Sequence, residues 1–148
     1  MRLPPSATGF GAGLPGADLP AFLAVCHHAA RRVGGTVTRA TPAGVTPSFH
    51  TVLIDHPGGP ITALGHATVP MVAFAQPLPA GDTKLAFLDH PDLAVAVGEV
   101  SDLRVLTVEA LRTPLSAVDL AALRAEEHRQ IRYWRPETVG ELLFNFWD

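Results

Sequence analysis

Residues able to do chemistry are few in this chain and widely spaced. Asp-His-Pro occurs twice, as Asp55-His56-Pro57 and Asp89-His90-Pro91, each closing an apolar run, "TVLI" and "LAFL". A histidine next to a carboxylate at a strand end suits zinc ligation or general-base work. His66, lying across a hairpin from His56 or a neighbour, would supply a third ligand. His56, His66 and His90 are therefore the candidate metal set, with zinc as the candidate ion. Their spacing matches neither C-x₂-C nor H-E-x-x-H. Asp and Pro are also ordinary strand-ending turn residues, which would leave the histidines as solvated passengers.

Glu127 is the weak candidate for a catalytic residue. It falls on the line of Leu120, Leu123, Ile131 and Trp134 at helical spacing. A carboxylate facing a core has a raised pKa, the condition for a general acid or base. Pairing with Arg124 or Arg129 is the structural reading of the same position. Other signatures fall short. "GAGLPG" (Gly11 to Gly16) has the G-x-G-x-x-G spacing but lacks the preceding strand and the later acid of a dinucleotide site. It reads as a Gly/Pro loop. There is no P-loop, G-x-S-x-G elbow or Ser-x-x-Lys pair. His27 and His28 point ~100° apart on a helix and cannot share a metal. Cys26 sits on an apolar stripe, as a buried structural thiol does.

The third cluster is aromatic. Val139, Leu142, Leu143, Phe144, Phe146 and Trp147 follow a Thr138-x-x-Glu141 capping box, which predicts a helix running to Asp148. On that helix they cover an arc of about 200°. So wide an arc must dock. It either closes the core or leaves part of itself to a partner, and Trp134, Phe144 and Trp147 are the candidate interaction surface. Asp148 would sit at the negative end of the helix dipole, with Arg129, Arg132 or Arg135 to offset it. Residues 124–137 carry four arginines against three glutamates, a net of +1. Interleaved signs predict an exposed face laced with salt bridges, not a nucleic-acid surface.

The elements that must position these residues are readable from periodicity. Residues 1–17 are rich in Pro and Gly and read as a flexible arm; residues 18–148 read as one globular domain. Leu19, Phe22, Leu23, Cys26, Ala30 and Val33 form the stripe of a helix capped by Asp18 and stopped by Gly34-Gly35. "TVTRA" is a short strand. "SFHTVLIDH" and "ITALGHATV" flank "PGGP" as a strand pair, and "MVAFAQ" and "KLAFLDH" are further strands. "DHPDLAVAVGEV" favours a helix capped by Asp89, with "LRVLTV" returning as a strand. A helix from about Ser116 should end at Trp134, because Arg135 precedes Pro136. The fold class expected is α+β: an N-terminal helix, a mainly antiparallel sheet of four to six strands, and two C-terminal helices packed on it.

Bulk properties bound the function. The 148 residues are 47% apolar and 17% charged, enough to bury a core without disulfide or metal. The net charge of −3 argues against nucleic acid. One cysteine suits a reducing, cytoplasmic setting. The greasy stretch 61–80 is broken by His66, Pro70, Pro77 and Pro79 and does not read as a membrane span. The expectation is a small cytoplasmic, non-catalytic binding or protein-interaction module without a cofactor, its partner a second copy or another protein. The alternative is a small metal-assisted hydrolase or isomerase built on the three histidines.

Overall fold

A computed structural model describes residues 1–10, 18–44 and 46–148. The Gly11–Gly16 motif lies outside the described residues, as does the second half of the expected arm.

Helix α1 spans Leu19–Arg32; the Asp18 side chain accepts from the Ala21 N–H as its cap. Strands β1 (Thr36–Thr41), β2 (Phe49–His56), β3 (Gly59–His66) and β4 (Met71–Ala75) follow as an antiparallel meander. Strand β5 (Phe87–Leu88) pairs with β4 on one side of its path, and β6 (Arg104–Val105) pairs with β4 in parallel. Between them runs α2, Pro91–Val100. Then come α3 (Val108–Leu111), a 3₁₀ turn at Leu115–Ala117, α4 (Ala125–Trp134) and α5 (Val139–Leu143). The architecture is α+β with a mainly antiparallel six-stranded sheet. No helix among the described residues is long and apolar enough to cross a membrane.

Strand alternation divides the interior into two layers. Val52, Ile54, Ala63, Val72 and Phe74 pack against α1 and α2 through Phe22, Cys26, Leu93 and Val97. On the opposite face, Phe49, Leu64, Met71 and Ala73 pack against Leu3, Leu111, Val139, Leu142, Leu143, Phe144 and Trp147. Gly65 lets the first layer close: a Cβ there would lie 2.8 Å from the Phe22 ring.

Four local expectations are corrected. Residues 1–10 are not a loose arm, since Leu3, Ser6, Ala7 and Thr8 are buried in the second layer. No α-helix starts near Ser116, where the chain makes only the 3₁₀ turn Leu115–Ala117. The Leu3 N–H donates to the Asp119 carbonyl and the Asp119 N–H to the Met1 carbonyl, so residues 1–3 hold 118–119 extended. A tertiary pairing thus overrides helix propensity, and α4 begins only at Ala125. Its end at Trp134 is where Pro136 predicts it, with Arg135 in the left-handed region at φ 52°.

The cap of α2 is His90, whose Nδ1 accepts from the Leu93 N–H; Asp89 instead accepts from the Val108 N–H. The last helix stops at Leu143. Asn145 turns back to donate to the Leu142 carbonyl and accept from the Trp147 N–H. Asp148 is therefore not at a helix end, and no cation is needed there.

Candidate functional site

Glu127 is fully buried, yet its carboxylate is saturated. Oε2 accepts from the Ser6 N–H at 3.0 Å and the Arg124 N–H at 3.0 Å. Oε1 accepts from the Thr8 N–H at 3.1 Å and the Thr8 hydroxyl at 2.7 Å. Burial pushes its pKa up, but the bonds from Arg124, Thr8 and Ser6 outweigh that and hold it below the usual carboxylate range. The expected arginine pair is absent among the described residues, and so is the raised pKa of an acid catalyst. Four donors make this carboxylate a structural anchor.

The anchored segment is held from every side. His66 Nε2 bonds the Ala7 carbonyl at 2.8 Å, the Thr68 hydroxyl donates to the Ser6 carbonyl, and Asn145 Nδ2 donates to the Thr8 carbonyl. A buried irregular segment must have its backbone polar groups satisfied. Here His66 at the end of β3, Thr68 just after it, Glu127 on α4 and Asn145 supply the partners.

His66 Nδ1 accepts from the Thr68 and Val69 N–H groups, at 3.1 and 3.2 Å, so the neutral ring carries its proton on Nε2. Burial lowers its pKa to about 4, only partly opposed by the Ala7 bond and the Glu127 charge. Neither ring nitrogen is free for a metal.

The two Asp-His-Pro turns do converge. His56 and His90 stand with ring centroids 5.1 Å apart, over a cavity of about 380 Å³ that Arg32 and Glu99 also line. His66 is not with them. In the β2–β3 register it pairs with Phe49, at the end of the hairpin opposite the His56–Gly59 pair. The candidate three-histidine set is thus divided, and no group of three His, Cys, Asp or Glu among the described residues is arranged to hold a metal.

Tautomers also oppose ligation. His56 Nδ1 accepts from the Gly58 N–H at 2.8 Å and His90 Nδ1 accepts at the α2 cap, which puts both neutral protons on Nε2. Binding metal there would move each proton onto a nitrogen already facing an N–H. Arg32 and His28 bind Glu99 beside the cavity and hold its pKa low. His27 is exposed. Cys26 is buried, which raises its thiol to about 12.

Of the predicted interaction surface, Phe144 and Trp147 belong to the core, 3% and 9% exposed. Phe144 meets Phe49, His66 and Phe87. Only Trp134 reaches solvent. Its ring lies parallel to that of Trp147, planes 1° apart and centroids 6.1 Å apart, and its Nε1 donates to Gln130. Tyr133 packs edge-on at 5.1 Å and is 75% exposed. The three rings thus form a ladder from core to water.

Arg129 and Arg132 on α4 and Arg135 at its C-terminal cap are exposed, as is Arg124 at the opposite end of the helix. The ion pairs among the described residues are Arg2–Asp119, His28–Glu99 and Arg32–Glu99; none involves α4. The expected salt-bridge lacing is absent among the described residues: Glu127 points inward, and the exposed Glu126 and Glu137 make no ion pair. With Glu127 turned inward, residues 124–137 expose four arginines against Glu126 and Glu137, and Glu141 shares a cavity with Trp134, Arg135 and Trp147.

Comparison of the chain with protein-family models, curated proteins and solved structures returned no match.

Proposed function

We propose that this protein is a non-catalytic interaction module that docks an acidic segment of another protein on the outer end of α4. The observation that carries this reading is the supported aromatic ladder at the end of α4 that bears Arg132 and Arg135, with Arg129 one turn before Tyr133; none of the three makes an ion pair among the described residues. Tyr and Trp held by neighbours lose little entropy on binding, and arginine fits carboxylates bidentately. A two-fold homodimer through this patch would face Arg129 and Arg132 with their own copies, a like-charge juxtaposition. A partner with clustered Asp and Glu is the better complement. The lone buried cysteine accords with a cytoplasmic setting.

The test uses the tryptophan emission of the stacked pair. A glutamate-rich, tyrosine-containing peptide should shift it, with affinity falling as salt rises. Tyr133→Ala and Arg132→Glu, both at exposed positions, should remove the response without changing the melting temperature. Stronger binding to an oligonucleotide of equal charge, or a sedimentation mass of two chains lost in Arg132→Glu, would overturn the assignment.

A further inference from the structure

The second face of the sheet is covered unevenly. Toward β4 the C-terminal residues seal it; toward β1 an open cleft of about 270 Å³ remains. Its floor is set by strand register. Arg39 on β1 pairs with Leu53 on β2, which pairs with Thr62 on β3, so the three side chains lie in one row on the same face. Leu64 stands in the next row. The roof is the segment after β4, where Leu78 sits between Pro77 and Pro79, and Phe146 forms the inner wall. That roof is shaped in advance: Asp82 Oδ1 accepts from the Thr83 and Lys84 N–H groups, and Gly81 turns the chain at φ 81°.

Thr62 is the odd member of this floor. It is only 3% exposed, yet its hydroxyl has no hydrogen-bond partner among the described residues. It is not a sealed orphan either; that condition belongs to His56 Nε2. The hydroxyl therefore opens into the cleft it lines. Buried polar groups are normally paired, and one left open at the bottom of a cavity marks where a ligand atom or water belongs. At the other end of the row, Arg39 is exposed and makes no ion pair among the described residues.

We infer that this cleft is a binding site for a small singly charged amphiphilic acid. Its carboxylate pairs with Arg39, its apolar body crosses Leu53 beneath Leu78 and beside Phe146, and a polar group at its far end bonds the Thr62 hydroxyl. Two strand spacings separate Arg39 from Thr62, roughly 10 Å, which sets the length. The volume is below the ~300 Å³ at which drug-sized sites begin, which limits the bulk. Asp82 on the rim disfavours a second negative charge. This site shares no residue with the α4 surface and stands independently of it.

The test is calorimetric titration of the full chain with octanoate, its ω-hydroxy derivative and octanamide. The ω-hydroxy acid should bind about fivefold more tightly than octanoate, the worth of one neutral hydrogen bond. Octanamide should bind about tenfold more weakly than octanoate, and Arg39→Ala should bring octanoate down to the amide's level. Thr62→Val, nearly isosteric and removing a hydroxyl the fold does not use, should leave octanoate binding unchanged and erase the ω-hydroxy preference. Melting curves of both variants should match the parent. Equal affinity for acid and amide, an ω-hydroxy preference surviving Thr62→Val, or no heat at millimolar ligand would overturn the assignment.

Discussion

Replacing Glu127 by glutamine distinguishes an anchor from a catalyst most directly. The change keeps shape and removes charge. One carboxylate oxygen becomes an NH₂ that must face either the Ser6 and Arg124 N–H groups or the Thr8 pair. The second choice costs less, because the Thr8 hydroxyl can turn and accept, leaving one donor-on-donor contact at the Thr8 N–H. Hydrogen bonds to a charged group contribute about 1.5–3 kcal/mol each. Losing one outright and weakening the rest puts Glu127→Gln at about 2–4 kcal/mol of destabilisation. Glu127→Ala strands three backbone N–H groups at about 1–3 kcal/mol each, against a total domain stability of about 5–15 kcal/mol. That variant should lose a large share of the domain's stability and melt well below Glu127→Gln. Urea denaturation at neutral pH reads the difference as a lower midpoint at constant slope. A double-mutant cycle with Thr8→Val should show coupling, because the two side chains share a 2.7 Å bond. If Glu127→Gln keeps the parent unfolding free energy within about 0.5 kcal/mol, the anchoring account is wrong and a chemical role for the carboxylate returns.

His66 makes stability pH-dependent. Its folded pKa of about 4 lies below the unfolded value of ~6.5, so the unfolded chain binds the extra proton as pH falls through that window. The resulting loss between pH 7 and pH 5 is about 2 kcal/mol, and His66→Gln should flatten the denaturation midpoint over that range; an equal slope in both proteins refutes the account. Glu127, with its depressed pKa, adds a further loss at more acid pH, as the carboxylate is forced to protonate. Gly65→Ala pushes a methyl group into the Phe22 ring and should cost about 1–3 kcal/mol, lowering the melting temperature, with part recovered in Gly65→Ala/Phe22→Leu. Arg135→Gly relieves a non-glycine residue in the left-handed region and should raise stability by about 0.5–1 kcal/mol in the same melt.

The parts of the fold that declared themselves in the sequence are those set by local rules. The 3.6-residue stripe of α1, its Asp18 cap, the β2–β3 pair around "PGGP" and the stop before Pro136 need only neighbouring residues to be right. What stayed hidden depends on partners distant in sequence. "SAVDLAALRAEEH" carries real helical propensity, but residues 1–3 draw 118–119 into an extended pairing 116 or more residues away. No periodicity reveals that. The final helix fails to reach Asp148 because the Asn145 amide serves the Thr8 and Leu142 carbonyls at once, which again needs the folded neighbour. The convergence of the two Asp-His-Pro turns was legible as an idea. The separation of His66 from them follows from a strand register that the sequence leaves open.

Glu127, His66 and Asn145 look functional in isolation because each is a polar side chain in an apolar neighbourhood. The structure points all three at one stretch, Ser6-Ala7-Thr8, which belongs to no helix or strand and is buried. Its own turn bonds, Ala7 N–H to the Pro4 carbonyl and Gly9 N–H to the Ser6 carbonyl, leave the Ser6 and Thr8 N–H groups and the Ala7 and Thr8 carbonyls to be satisfied by side chains from other elements. Chemically able residues are thereby spent on packing, and their buried polarity stops being a signal of a site. Polarity left unspent is the better signal. By that criterion the arginines around Tyr133 and the Thr62 hydroxyl stand out, although neither forms part of a recognisable motif. Both kinds of residue were in plain view in the chain. Only the hydrogen-bond partners of each one separate those the fold consumes from those it leaves for something else.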